Sequence, residues 1–203
     1  MAASVREQRI GLPIGETLFG KTALVIGYGG IARELVPRLQ AFKTKLMLVR
    51  RSSWEGDQPD AAGRDMQLEA WTELPCLLPH ADLIFLTCSL NDETRGLVDS
   101  SFLSQCKAGV RIINVARGGL LDYDAVLREL DGKIGALGLD VQWSEPFDPD
   151  DPLAKHPRVY LTPHVAGVTE LSYRTMADVL AEEIIRARNS QVPTVQLNNI
   201  GPS

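Results

Sequence analysis

Apolar runs of strand length alternate along the chain with segments whose apolar residues recur at helical spacing, and that alternation organises the sequence. "TALVIG" (Thr22 to Gly27) reads as a buried strand. "GIARELVPRLQAF" (Gly30 to Phe42) reads as a helix with Ile31, Leu35, Leu39 and Phe42 on one face, and Pro37 inside it predicts a kink or local adjustment because it removes a backbone donor. "KLMLVR" is a second strand, Ser52 to about Arg64 a loop, Trp71 to Leu78 a short helix and "DLIFLTC" (Asp82 to Cys88) a third strand. "SSFLSQC" (helix), "RIINVA" (strand), "YDAVLREL" (helix), "IGALGLDV" (strand) and "VYLTP" (strand) continue the rhythm. It is broken by a Pro- and Asp-rich irregular loop from Trp143 to Pro157. Thr169 to Asn189 closes the series as a long helix with Met176, Val179, Leu180 and Ile184 near one face. Strands separated by helical crossovers predict a parallel sheet, so the expected architecture is a single doubly wound, Rossmann-type α/β domain.

Composition narrows the class. A length of 203 residues, 44% of them hydrophobic and 23% charged, suits one substantial core. The net charge of -5 gives no general footprint for nucleic acid or an anionic membrane, while leaving room for a local basic pocket. Cys76, Cys88 and Cys106 form no C-x-x-C pair, which predicts reduced thiols with neither a disulfide framework nor a metal site. No apolar run approaches the ~20 residues that span a bilayer, and "MAASVREQRI" has no apolar core after its charges. A soluble, cytoplasmic protein is expected.

Chemistry enters at "VIGYGGIA", where Gly27 and Gly29 follow a strand and Ala32 lies in the opening turn of a helix. This satisfies the G-x-G-x-x-G/A spacing in its required context: a tight turn at Gly27, close backbone approach to a pyrophosphate at Gly29, and close helix packing at Ala32. The helix N-terminus adds free amides and partial positive charge. A bare turn or a methyltransferase site shares the glycines. The acid that normally ends the second strand and grips the adenosine ribose is replaced by Arg50, followed by Arg51, Ser52 and Ser53. A carboxylate there would repel a 2′-phosphate, whereas arginine binds one in a bidentate fork, so NADP is expected in preference to NAD. Strand geometry sends Arg50 and Arg51 to opposite sides, so only one of them is expected to reach the ligand.

Three polar residues follow later strands, at the sheet edge where open α/β sheets bind ligands. Arg117, Glu145 and His164 are of the types that oxidation of a hydroxy acid needs: a cation for the carboxylate, a partner that tunes a base, and an imidazole to carry the proton. Taken singly, Arg117 also fits an exposed turn and Glu145 a solvated loop acid. His80 and His156 occupy less suggestive places. Cys88 and Ser89 end a strand on the same edge and fit either a nicotinamide pocket or, for Cys88, a buried small residue.

These motifs, in this order, resemble the nucleotide-binding domain of the D-isomer-specific 2-hydroxyacid dehydrogenases. The resemblance runs from about Thr17 to Asn198 through "LFGKTALVIGYGGIA", "SLNDETRGLV", "NVARGGLLDYDAV", "GLDVQWSEPFDPDDPL" and "LTPHVAGVTELSYRTMA". "WSEPFDPDDP" and "TPHVAGVTE" are similar to a plant-type phosphoglycerate-dehydrogenase-like branch. The resemblance implies catalytic roles for Arg117, Glu145 and His164. It also implies Tyr28, Gly29, Gly30 and Ile31 at the pyrophosphate, Val115 and Ala116 near the nicotinamide ribose, and Asp140 against the carboxamide. Cys88, Ser89, His164, Ala166 and Gly167 complete the expected cofactor contacts.

The family also carries a substrate-binding domain ahead of the glycine turn, and here that turn already appears at Gly27. "REQRIGLPIGETLFG" resembles the family's dimerisation arm, which predicts a homodimer. The expected organisation is an arm over residues 1–16, a dinucleotide-binding domain over 17–189 and a tail over 190–203. The implied activity is hydride transfer between NAD(P) and a small 2-hydroxy or 2-keto acid, weak or absent in the chain alone because half of the cleft is missing. The alternative is a non-catalytic NAD(P)-binding sensor or scaffold of the same descent.

Overall fold

Strands with apolar residues at successive positions bury both faces, and here they build the centre of one parallel sheet. The computed structural model describes Arg6, residues 14–59 and residues 66–192. Most of the expected arm, loop residues 60–65 and the tail beyond residue 192 lie outside the described residues. The chain divides between Pro163 and His164 into two units.

In the first unit, β1 (Thr22–Ile26), β2 (Lys45–Arg50), β3 (Met66–Ala70), β4 (Leu83–Leu86), β5 (Val110–Asn114), β6 (Ile134–Leu139) and β7 (Val159–Leu161) form a seven-stranded sheet. Its order is β3-β2-β1-β4-β5-β6-β7, and every pairing is parallel. Register is set at the centre, where Val25 lies beside Leu48 on one side and Phe85 on the other. Alternate residues of β1 feed opposite cores. Ala23 and Val25 join Ala32, Val36 and Leu39 of α1 (Gly30–Ala41). Leu24 and Ile26 join the core covered by α2 (Leu74–Leu77), α3 (Ser100–Gln105), α4 (Tyr123–Glu129) and α5 (Pro152–Lys155).

One expectation needs correction. The buried face of α1 is Ala32, Val36 and Leu39, whereas Ile31 and Phe42 are exposed. The glycine turn fixes the phase at which the helix starts, and Phe42 already lies beyond its last turn. The helix is continuous through Pro37. Edge strand β3 is an additional element: Met66 and Leu68 alternate with Gln67 and Glu69, a pattern too short and too polar to stand out in sequence.

The end of α1 sets the spacing to β2. The Lys43 amide donates to Gln40 O (2.8 Å) and the Thr44 amide to Leu39 O (3.4 Å), the paired bonds of a Schellman cap. Lys43 sits in the left-handed region that such a cap requires, with φ 55°.

The second unit contains α6 (Glu170–Arg188), capped by the Thr169 hydroxyl, which accepts from the Ser172 amide at 3.1 Å. Met176, Val179, Leu180 and Ile184 of this helix are exposed. Among the described residues, no helix is long and apolar enough to cross a membrane, and no cluster of three His, Cys, Asp or Glu could hold a metal ion.

Candidate functional site

Strand order reverses between β1 and β4, the switch point at which open α/β sheets take ligands. The glycine turn is anchored there. Gly27 N–H donates to Val49 O (2.8 Å), while Thr87 donates through its amide to Ile26 O (3.0 Å) and through Oγ1 to Gly27 O (2.9 Å). Gly27 has φ 95°, and a Cβ at that position would lie 2.7 Å from the Cys88 backbone, so no side chain fits. A Cβ on Gly29 or Gly30 would meet nothing within 4 Å. Their backbone therefore faces open space at the start of α1, where no side chain caps the helix and the first turn carries no acid. That combination suits an anion.

Beside the turn lies a cavity of about 440 Å³ lined by Ile31, Thr87, Cys88, Ser89, Leu90, Ala116 and Arg117. Five residues expected at the cofactor, from three separate segments, meet here. Larger cavities of about 620 and 480 Å³ lie at the amino ends of the strands, lined among others by Lys45 and His80 and by Lys107 and Arg158. The carboxyl-end position and the glycine turn favour the smaller one as the ligand site. Burial pushes the Cys88 thiol up to about 11, outweighing the pull of its own backbone hydrogen bond and of Arg51. It is a neutral wall of the cavity at pH 7, not a nucleophile.

At the carboxyl end of β2 the two arginines part company, as strand alternation predicts. Arg51 is exposed and pairs with Glu93. The Arg50 side chain is 7% exposed; its Nε donates to Ser52 O at 3.1 Å, one terminal nitrogen donates to Ser53 O, and the other pairs with Asp57. The Ser53 hydroxyl accepts from the Glu55 amide at 3.1 Å. Asp57 and Arg33, which pair with each other, were not singled out in the sequence. Arg33 directly follows Ala32 of the fingerprint, which was a usable signal.

Arg117 follows β5 and is held from below. The Asn114 side chain, fully buried, accepts from the Ala116 amide (3.0 Å) and donates to Arg117 O (2.8 Å). A Cβ on Gly118 would lie 2.1 Å from Gln142 O, so this is a packed turn with an exposed arginine, not a free loop. Val115 is half-buried and Ala116 buried. Asp140 is buried after β6 and accepts from the Thr162 hydroxyl. Glu145 accepts from the Gln142 amide at 3.1 Å, and Gln142 in turn donates to Thr162 O (3.0 Å). Arg117 and Glu145 thus belong to the first unit, and His164 is the first residue of the second. His164 has φ 55°, a conformation that costs a non-glycine residue about 1–3 kcal/mol and tends to persist at functional positions. Ala166 and Gly167 follow it, both exposed. His80 and His156 sit near the amino ends of strands, the latter 3.3 Å from Asp131.

Residues 1–166 match the family described as D-isomer specific 2-hydroxyacid dehydrogenase, NAD binding domain. A glyoxylate reductase of Thermofilum pendens is 31% identical over 188 residues, covering 91% of this chain and 53% of that protein. D-3-phosphoglycerate dehydrogenase 2, chloroplastic, of Arabidopsis thaliana is 30% identical over 187 residues, covering 91% of this chain and 29% of its own. The crystal structure of a D-isomer specific 2-hydroxyacid dehydrogenase from Xanthobacter autotrophicus Py2, in complex with NADPH and MES, superposes with a TM-score of 0.81 at 26% identity, covering 97% of this chain and 78% of that one. The chain thus spans about half the length of the glyoxylate reductase and under a third of the plant enzyme. A match of this extent, on a sheet whose switch point carries the glycine turn, makes the chain a member of the D-isomer specific 2-hydroxyacid dehydrogenase family.

Proposed function

We propose that the chain is the nucleotide-binding part of an oxidoreductase that interconverts a small 2-hydroxy acid and its 2-keto acid, using NADP(H) in preference to NAD(H). The observation that carries this reading is the cavity between Ile31, Cys88 and Arg117, set beside the open backbone of Gly29 and Gly30. Arg50 in place of an acid at the end of β2 supports the NADP preference, as does the NADPH in the Xanthobacter structure. In this reading residues 17–189 make up the dinucleotide-binding domain, with 1–16 as the arm and 190–203 as the tail.

A nicotinamide dinucleotide supplies the two-electron redox chemistry when bound. The chain's own residues do the rest. Tyr28, Gly29, Gly30 and Ile31 hold the pyrophosphate, Val115 and Ala116 flank the ribose, and Asp140 receives the carboxamide. Arg117 binds the substrate carboxylate and polarises the 2-carbonyl. His164 gives a proton to that oxygen during reduction and takes it back during oxidation. Glu145 is the acid that partners this base in the reaction. We further place the protein in the cytoplasm as a homodimer; its three free thiols support the first and the arm-like sequence ahead of β1 the second.

The test is reduction of glyoxylate, hydroxypyruvate and other 2-keto acids with NADPH, beside melting curves with each nucleotide. Turnover, however slow, should fall about a hundredfold or more in His164→Ala; an unchanged rate removes His164 as proton carrier. NADP(H) should raise the melting temperature more than NAD(H), and Arg50→Asp should reverse the order. Equal shifts contradict the NADP preference.

A further inference from the structure

Five side chains close a ring of contacts at the carboxyl ends of β1 and β2. The Arg33 guanidinium lies 4.9 Å from the centroid of the Tyr28 ring. The Tyr28 and Trp54 rings are 5.2 Å apart and inclined at 52°, and the Arg50 guanidinium lies 4.3 Å over Trp54. Asp57 closes the ring, pairing through one carboxylate oxygen with Arg33 and through the other with Arg50. The members come from the glycine turn, the first turn of α1, the end of β2 and the loop after it, and Arg33 and Arg50 meet on one carboxylate.

The chemistry of that carboxylate is informative. Two oxygens on one atom bridging two guanidinia is the arrangement a phosphate monoester makes with two of its three oxygens. The aromatic members hold both guanidinia in place by cation–π contact, so the cation pair does not depend on Asp57 alone for its position. Asp57 belongs to a loop and its side chain is 38% exposed, so it can turn toward solvent, and the buried Arg50 guanidinium it leaves keeps its bonds to the Ser52 and Ser53 carbonyls. Arg33 first and Arg50 second hold its carboxyl below the usual carboxylate range, against a smaller cost of burial. The bridge therefore stays ionised across the physiological range.

Resting on the reading of this edge as an NADP(H) site, we propose that Arg33 joins Arg50 in binding the 2′-phosphate, and that Asp57 is the internal anion this phosphate displaces. Asp57 thereby sets how strongly the site discriminates between the two nucleotides. With the bridge in place, the phosphate must displace the carboxylate from the exposed Arg33 and from the buried Arg50 before it forms its own pairs. Removing the carboxylate should raise the ratio of NADPH to NADH affinity about three- to tenfold.

The experiment is calorimetric titration of the full chain with NADPH, NADH, adenosine 2′-monophosphate and adenosine 5′-monophosphate. Wild type is compared with Asp57→Asn, Asp57→Ser, Arg33→Gln and Arg50→Gln, each checked by its melting curve. The Asp57 variants should tighten NADPH and adenosine 2′-monophosphate relative to their partners, and Arg33→Gln should weaken both about tenfold. If Arg50→Gln weakens NADPH while the Asp57 variants leave the ratio unchanged, the displacement idea fails and the NADP reading stands. If wild type does not prefer NADPH and neither arginine variant matters, the NADP reading itself fails. A lower affinity for NADH in Asp57→Asn also overturns the proposal, since Asp57 would then be accepting from the ribose hydroxyl directly.

Discussion

The buried amide of Asn114 donates to the carbonyl of Arg117 at 2.8 Å, fastening the turn that carries this arginine to the end of β5. Its oxygen accepts from the Ala116 amide at 3.0 Å, so one side chain pins both sides of the cavity wall. Asn114→Ala leaves an N–H and a C=O without these partners. The expected cost is about 2–4 kcal/mol in urea unfolding, with weaker NADPH binding beside it. A loss under about 0.5 kcal/mol would show that Arg117 is positioned by something else.

Gly27 and Gly29 should separate stability from binding. Gly27→Ala places a methyl group against the Cys88 backbone at a positive φ and is expected to cost about 2 kcal/mol or more. Gly29→Ala meets nothing within 4 Å and starts from an extended backbone, with φ −107°. It should melt within a few degrees of wild type yet bind NADPH at least tenfold more weakly. Equal binding in Gly29→Ala would place the pyrophosphate elsewhere.

Lys43 is a correctable strain. With φ 55° at the Schellman cap, its side chain crowds its own backbone. Lys43→Gly is expected to stabilise the chain by about 1 kcal/mol, raising the melting temperature by about 2–4 °C. A lower melting temperature would mean that the 5.9 Å contact of Lys43 with the Phe19 ring matters more than the strain.

Asp82 ties the amino ends of β1 and β4, accepting from the Thr22 amide and from Lys107, each at 2.8 Å. Burial pushes its carboxyl up, but the Lys107 and Thr22 hydrogen bonds outweigh it and the net direction is down. A folded value below the unfolded ~3.9 means that the contribution is complete above about pH 4 and is lost as pH falls through the folded value. Asp82→Asn should therefore flatten the acid limb of a stability–pH curve. An acid limb identical to wild type would remove Asp82 from the account.

The sheet was legible because its strands are continuous apolar runs, and a run such as Ala23 to Ile26 has few ways to be satisfied except between two covered faces. The glycine turn was legible because its spacing carries a steric meaning that Gly27 fulfils against Cys88. Strand β3 and the buried face of α1 were not, because a five-residue pattern is ambiguous and the phase of a helix is set by its first turn. Asn114 and Asp57 escaped notice for a common reason. Each acts through groups that become neighbours only after folding, and sequence spacing alone does not place Asp57 between Arg33 and Arg50.

Hydrogen exchange of the full chain with and without saturating NADPH tests most directly that the nucleotide lies along the carboxyl ends of β1, β4 and β5. Slowed exchange is expected at residues 27–33, 87–90 and 115–118. Protection confined to residues 45–47 or 107–111 at the amino ends of the strands, or no protection anywhere, would contradict it.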